Sequence, residues 1–545
     1  MMQPFAPLRA GRVAIAALLA LASLAGPAQT TPRKATGSYR IAGRVVNAST
    51  GEPVPRATVS ALAEEDNHIV ESVQADADGR FSLVRLAAGK YPLNASKRGY
   101  RTAFYDEHDD FNSAIVTGEG QDTGNLVFKL TPGAVLRGVV TGDGGDPVEG
   151  ANVMLYQRQH ASGRVVQVEG TTTDDTGTYE FSNLAAGEYL LAVNAWPWYA
   201  MHGQGNAARR DESGERAVLD VAYPVTYFDS TTDEASASSI VLAGGSREEA
   251  DINLHAVPAL HLKVATPLRQ GRGIARPELR QTVFGVQISA VSAGFLDSLK
   301  TGTVEFDGVA PGHYELSQGD PPRIASLDAT ANLDVDPGAG TPAVSVAGSL
   351  RAIGGGTLPD EANLILEPVD GSRGQPLMQI AHKGQFRFDA VAPGVWGLSV
   401  YSGGPVLPVV AIAAGGATTA GNQFAVRDRP LTVEAAVSLA KTRVLGFARR
   451  NSKGVAGAMI VLVPKEPRAY QALVRRDQSD SDGSFSLRDV PAGHYTVVAI
   501  EDAWKLDWQR HEVIARYLPG GVAVTISEGS GANVYLTDPV QVQAH

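Results

Sequence analysis

The chain of 545 residues contains no cysteine. Disulfides, thiolate metal ligands and cysteine nucleophiles are thereby excluded together, and stability has to come from buried apolar surface. A strong positive field is missing too. The 47 Lys and Arg stand against 58 Asp and Glu, a formal charge of −11 with no long basic stripe, which leaves nucleic acid and anionic lipid without electrostatic support as partners. Long hydrophobic runs are scarce. The run from Val13 to Ala25, behind Arg9 and Arg12, holds thirteen residues and is too short to span a bilayer. Its basic start and the small residues near Ala25 and Ala28 are the pattern of an export signal, so residues 1–28 are expected to be a cleaved signal peptide. Leu24-Ala25-Gly26 resembles the start of a lipoprotein signal, but Pro27 stands where the lipidated cysteine would be, and no lipid anchor is expected.

Glycine and proline are plentiful, at 59 and 31 residues, against the roughly 12% of an average protein. Many of the glycines fall in one recurring phrase of fourteen residues: DGRFSLVRLAAGKY from Asp78, TGTYEFSNLAAGEY from Thr176, TGTVEFDGVAPGHY from Thr301, KGQFRFDAVAPGVW from Lys383 and DGSFSLRDVPAGHY from Asp482. Each reads as turn, strand, turn, strand. The first glycine (Gly79, Gly177, Gly302, Gly384, Gly483) predicts a tight turn with φ > 0. Apolar residues at every second position follow, Phe81 and Leu83 in the first copy, and a period of two predicts a strand with one buried face. The aromatic that closes the phrase (Tyr91, Tyr189, Tyr314, Trp396, Tyr495) is placed to pin a corner, as tyrosines do in β-sandwiches.

First glycines are 98, 125, 82 and 99 residues apart, the size of a single sandwich able to bury its own core. The expected fold class is all-β, a tandem array of five Ig-like or prealbumin-like Greek-key β-sandwich domains. Boundaries are expected at 38–131, 132–257, 258–342 (degenerate), 343–430 and 431–545. Each module opens with a strand near a glycine, such as Ile41 to Val45, and continues into a second strand, such as Ala57 to Ala61. Closing segments such as Ala114 to Leu130 and Ser239 to Leu254 read as terminal hairpins. Linkers are short enough that neighbouring modules should touch, which predicts a semi-rigid rod or arc.

The glycine–strand–Leu-x-x-Gly-x-Tyr phrase, with the opening strand and its partner, resembles the carboxypeptidase regulatory-like domains, which are related to Cna-B-type and transthyretin-like sandwiches. The resemblance covers nearly the whole chain after residue 28, most strongly modules one, two and five. It implies a seven-stranded Greek-key sandwich, non-catalytic and grouped with carbohydrate-binding-like folds, without fixing a ligand. Some Gram-positive relatives cross-link Lys to Asn within a domain, but Pro132 to Pro258 contains no lysine, so no such bond can form in module two. The last residues, Asp538 to His545, lack a wall-sorting signal, and the expected location is exported: periplasm, cell surface or medium of a Gram-negative type envelope.

Metal motifs are partial. His68-Ile69-Val70-Glu71 matches half of a His-x-x-Glu zinc motif, and His511-Glu512 begins a His-Glu-x-x-His motif whose second histidine is replaced by Ala515. Asp76-x-Asp78-Gly79 and Asp480-x-Asp482-Gly483 resemble the middle of a calcium loop, but its first position is Gln74 or Gln478 and its twelfth is Arg85 or Asp489. Hairpin turns are the expectation there. Asp106 to Asp110 is expected to be a solvated acidic loop. No catalytic residue, metal site or cofactor is expected.

The aromatics carry the functional expectation. Trp196, Trp198 and Tyr199 follow the Gly-x-Tyr strand of module two, and Trp504 and Trp508 follow that of module five. Flat rings side by side suit stacking on sugars. The alternative for the second pair is burial, because Trp504, Trp508, His511 and Ala515 lie on one face of a helix starting after Asp502 as N-cap, which would pack on its own sandwich or a neighbour. Pro197 forbids a regular helix at the first pair. The sequence thus points to a non-catalytic binding or scaffold protein, with polysaccharide or an envelope protein surface as partner. A structural stalk, or a hydrolase with an inter-domain site, are the other readings.

Overall fold

A computed structural model describes residues 37–545 apart from 159–164, 201–219, 266–276, 292–301, 320–321, 337, 339, 355, 370–375, 404–405, 467–472 and 528–531. The expected signal peptide lies outside the described residues. The fold is all-β, and no helix among the described residues is long and apolar enough to cross a membrane.

One pairing pattern recurs along the chain. In the first module the strand Tyr39–Asn47 pairs antiparallel with Arg80–Leu86, which carries the repeated phrase, and parallel with the closing strand Leu126–Leu130. Facing this sheet, Thr58–Leu62 lies between Ile69–Gln74 and Leu93–Ser96. The same antiparallel-plus-parallel scheme joins Ala134–Thr141 to Thr178–Leu184 and Arg247–Glu249, and Leu260–Ala265 to Thr303–Val309 and Leu333–Val335. It joins Val344–Ile353 to Gln385–Val391 and Leu431–Ser438, and Arg443–Arg450 to Ser484–Leu487 and Asn533–Tyr535.

The closing segments are not hairpins. Ile115–Thr117 pairs with Gly89–Tyr91, whereas Leu126–Leu130 crosses to the other sheet and lies parallel to Tyr39–Asn47. Modules two and five divide their closing segments in the same way, through Ile240–Leu242 against Gly187–Asn194 and Val522–Ile526 against Gly493–Ile500. A strand that changes sheets encloses the core on both sides, which a hairpin on one sheet cannot do.

The phrase builds the core as its residues require. All five first glycines have positive φ, from 67° at Gly302 to 84° at Gly483. At Gly177 an added Cβ would also lie 2.5 Å from the Val140 carbonyl oxygen, so neither the conformation nor the space admits a side chain. The closing aromatic ties its corner in every copy. Tyr91, Tyr189, Tyr314 and Tyr495 donate their hydroxyls to the carbonyls of Ala87, Ala185, Ala310 and Pro491, and Trp396 donates its indole N–H to Ala392. Each donor reaches four residues back. Buried apolar side chains form a separate cluster in each module, for example Leu83, Leu86 and Phe128 in the first and Trp396, Phe388 and Val433 in the fourth.

The chain is not a rod. Neighbouring modules touch, through Arg101 and the Asn183 carbonyl at 2.7 Å and through Phe284 packed edge-on against Tyr156 and Tyr227. The fifth module also rests on the first, so the array closes on itself. The closing contacts include ion pairs and hydrogen bonds, such as Lys90 with Asp480, and ring contacts, such as His108 with Trp504, which the apolar repeat pattern does not register.

Candidate functional site

Two features stand out from the repeated scaffold: a polar clasp between the first and last modules, and an exposed aromatic ledge on the second.

The clasp grows from the turn that precedes each first glycine. In modules one and two, Asp76 and Asp174 turn a carboxylate oxygen inward, where it accepts from two backbone amides of its own turn at 2.8 to 2.9 Å. This is the hairpin use of aspartate, and it consumes the oxygens a calcium loop would need. Asp480, at the same place in module five, faces the first module. Its Oδ1 accepts from the Ala114 amide at 2.9 Å and its Oδ2 pairs with Lys90 Nζ at 2.5 Å. Asp482 takes over the local turn by accepting from the Ser484 amide.

Further bonds surround that pair. Ser481 exchanges with the strand edge of module one, its amide donating to the Ala114 carbonyl and its hydroxyl accepting from the Val116 amide. Ser113 donates to the Ser479 carbonyl, and Gln478 donates to Ser113 Oγ, both at 2.9 Å. Arg488 reaches Glu64 at 3.6 Å. Burial pushes the Asp480 carboxyl up, and Lys90 opposes that. For Lys90, burial acts to lower its value, but attraction to Asp480 prevails and the net shift is upward. Both directions express a charged pair held in poor solvent. Nearby, burial raises Asp477 to about 7 despite the hydrogen bond from the Ser486 amide.

Trp504 and Trp508 belong to this clasp. The expected helix from Asp502 does not form. Asp502 has φ of 48° and makes no side-chain cap bond, and the segment breaks into a 3₁₀ turn at Ala503–Lys505, a short α-helix at His511–Ile514 and a second 3₁₀ stretch at Ala515–Gly520. Tertiary contacts outweigh the helical spacing. Trp504 stacks on His108 of the first module at 4.9 Å, with the planes 9° apart, and donates to the Gly457 carbonyl. Arg476 lies 3.8 Å from the Trp508 ring and 4.9 Å from Phe111, and pairs with Asp109. The acidic loop Asp106–Asp110 is thus part of an interface. Arg476 there combines cation–π and ionic contacts under little solvent, where both are strongest.

The ledge is different. Exposure alternates through Ala195 to Trp198, with Ala195 and Pro197 buried and Trp196 and Trp198 exposed by 49% and 82%. Tyr199 meets Trp198 edge-on at 5.8 Å, and the Ala200 amide closes the turn on the Pro197 carbonyl. The two indoles therefore face solvent on a braced loop.

A third group has no signal in the sequence. His261 is nearly buried where the second and third modules meet, and its Nε2 and Nδ1 lie 2.8 Å from Asp220 and Asp307 respectively. Glu305 stands 3.8 Å from Nδ1. The hydrogen bond to Asp307 is the largest cause that pushes His261 up to about 9, burial opposes it, and Asp220 adds to the rise. With both nitrogens protonated the ring cannot ligate a metal or act as a base. Ligand atoms of His261, Glu305 and Asp307 do fall within 4.8 Å of one another, but both His261 nitrogens are already engaged by Asp220 and Asp307. His68 is exposed and lies 2.5 Å from Asp66, and Glu512 pairs with Arg510, so both partial zinc motifs serve surface contacts.

Residues 40–131 and 135–200 match the Carboxypeptidase regulatory-like domain family. Both matches fall in the first two modules, whose repeated phrase resembles that family. No curated protein matches the chain. Among solved structures, the Bacillus anthracis TIE protein is 10% identical, with 90% of this chain and 67% of that chain covered and a TM-score of 0.15. GBS52, a minor pilin of Streptococcus agalactiae, is 13% identical over 43% of this chain and 100% of its own, with a TM-score of 0.20. The shaft pilin SpaA of Lactobacillus rhamnosus GG is 9% identical over 40% of this chain and 96% of its own, at 0.18. TM-scores this low establish no shared arrangement of modules.

Proposed function

We propose that the chain is an exported, non-catalytic scaffold of five β-sandwich domains, bounded at 38–131, 132–257, 258–342, 343–430 and 431–545, that binds polysaccharide at the bacterial envelope. The observation that carries this reading is the outward-facing pair Trp196 and Trp198 beside Tyr199. Leaving an indole in water forgoes burial of about 2 kcal/mol, and the turn that the Ala200 amide closes on the Pro197 carbonyl presents both rings outward, as a sugar-stacking surface requires. Trp504 and Trp508 take part in closure of the scaffold. A protein partner is the second reading, favoured by the polar clasp, since the chain already uses the edge of one sandwich to bind another.

The test is intrinsic fluorescence. Titration with neutral polysaccharides and with peptidoglycan should shift the emission, and Trp198→Ala should remove the part of the shift that arises at the ledge without altering thermal unfolding. No shift across that panel defeats the polysaccharide reading. Turnover of any of those glycans by the metal-free protein defeats the non-catalytic one.

A further inference from the structure

Closing the array creates a cleft that no single module contains. It measures about 890 Å³ and lies where modules one, four and five meet, within the usual range for small-ligand sites. One wall carries Phe111 and Trp508, with the Arg476 guanidinium between their rings. The opposite wall is a sheet face of module four that presents Ser399, Asn422 and Gln423.

The lining selects among ligand classes. The acids Asp110, Glu367 and Asp507 are matched by Arg475, Arg476 and Arg510. Arg476 pairs with Asp109, and Arg510 is within 3.9 Å of Asp507. A balanced lining offers nothing to a polyanion, and the acidic chain repels nucleic acid. An extended peptide would need a free backbone edge to join the sheet. Among the described residues none is offered at those positions of that wall, because Gly397 is paired with Gln423, and Ser399 with Ile365, in the existing ladder. Aromatic rings on one side and short amide and hydroxyl groups on the other fit alternating CH faces and hydroxyls.

We infer that this cleft binds a short stretch of uncharged oligosaccharide, between the Phe111 and Trp508 rings and the Ser399, Asn422 and Gln423 side chains. The inference rests on the polysaccharide reading but uses none of the ledge residues. Since three modules supply the walls, only the closed array binds there, and by linkage the ligand stabilises closure to the same extent that closure favours the ligand.

Calorimetric titration of the full chain with cellohexaose, maltohexaose and chitohexaose tests it, using the Trp198→Ala variant so that the ledge is silent. At least one hexasaccharide should bind that variant. Ser399→Trp, which fills the cleft from module four, should weaken that binding at least tenfold, as should Gln423→Ala, a half-buried change that serves if the tryptophan disturbs folding. Binding should also raise the temperature of unfolding in Trp198→Ala but not in the blocked double variant. The inference is overturned if Trp198→Ala binds none of the three, or if neither cleft substitution weakens binding. Binding lost with Trp198→Ala but kept in Ser399→Trp and Gln423→Ala leaves the ledge standing and removes the cleft. The reverse pattern removes the ledge.

Discussion

Lys90 Nζ and Asp480 Oδ2 meet at 2.5 Å although 390 residues separate them along the chain. The pair ties the first module to the last, and both side chains are mostly buried, with 24% and 12% exposure. Removing one partner of such a pair leaves the other charge in poor solvent, at a cost of about 3 kcal/mol. Lys90→Met should therefore open the clasp. Small-angle scattering should report a larger radius of gyration for Lys90→Met, and Lys90→Met/Asp480→Asn should recover part of the loss by removing the stranded charge.

Gly177 tests the repeated phrase. Its φ is 73°, and a Cβ added there would stand 2.5 Å from the Val140 carbonyl oxygen. Gly177→Ala therefore meets backbone strain of about 1–2 kcal/mol and a close contact besides. Urea unfolding should show a lower midpoint, whereas Gly145→Ala, which shares a positive φ but has open space around it, should lose only the backbone part.

The corner aromatics make a graded prediction. Tyr314→Phe removes the hydroxyl that donates to the Ala310 carbonyl at 2.7 Å, and should cost about 1 kcal/mol in chemical denaturation. Trp396→Ala removes the largest fully buried side chain and its bond to Ala392, and should cost about 3–5 kcal/mol.

His261 should make the junction of modules two and three pH-dependent. Its folded value of about 9 lies above the ordinary 6.5, so the folded state holds the proton more tightly. The stabilisation is complete below 6.5 and is lost as pH rises through 9. Chemical denaturation from pH 6 to 10 should show that decline, and His261→Gln should flatten it. A His261 imidazole signal, identified by its loss in His261→Gln, that titrates near 6.5 in the intact protein would contradict the assignment.

The repeated phrase made the sandwiches legible because it records strictly local demands. A positive φ at Gly79 and a corner bond from Tyr91 each leave a residue type at a fixed place. The clasp leaves no such mark. Asp480 stands in the same local sequence setting as Asp76, and only the presence of module one turns its carboxylate outward. The spacing of Trp504 and Trp508 suggests a helix because it ignores His108 and Arg476, which hold those rings from outside the segment. His261 is invisible for a similar reason: its two carboxylates come from positions 41 and 46 residues away. The Trp196–Trp198 ledge is legible because alternation about a proline is itself local.

Closure of the array is the claim on which the clasp and the cleft both depend, and the chain's lack of cysteine allows it to be measured directly. Spin labels on Glu64→Cys and Arg488→Cys, whose native side chains meet at 3.6 Å across the clasp, should give one narrow, short electron–electron distance at concentrations where the protein is monomeric. A broad or long distribution, or a short distance that disappears when labelled chains are diluted with unlabelled ones, would contradict it.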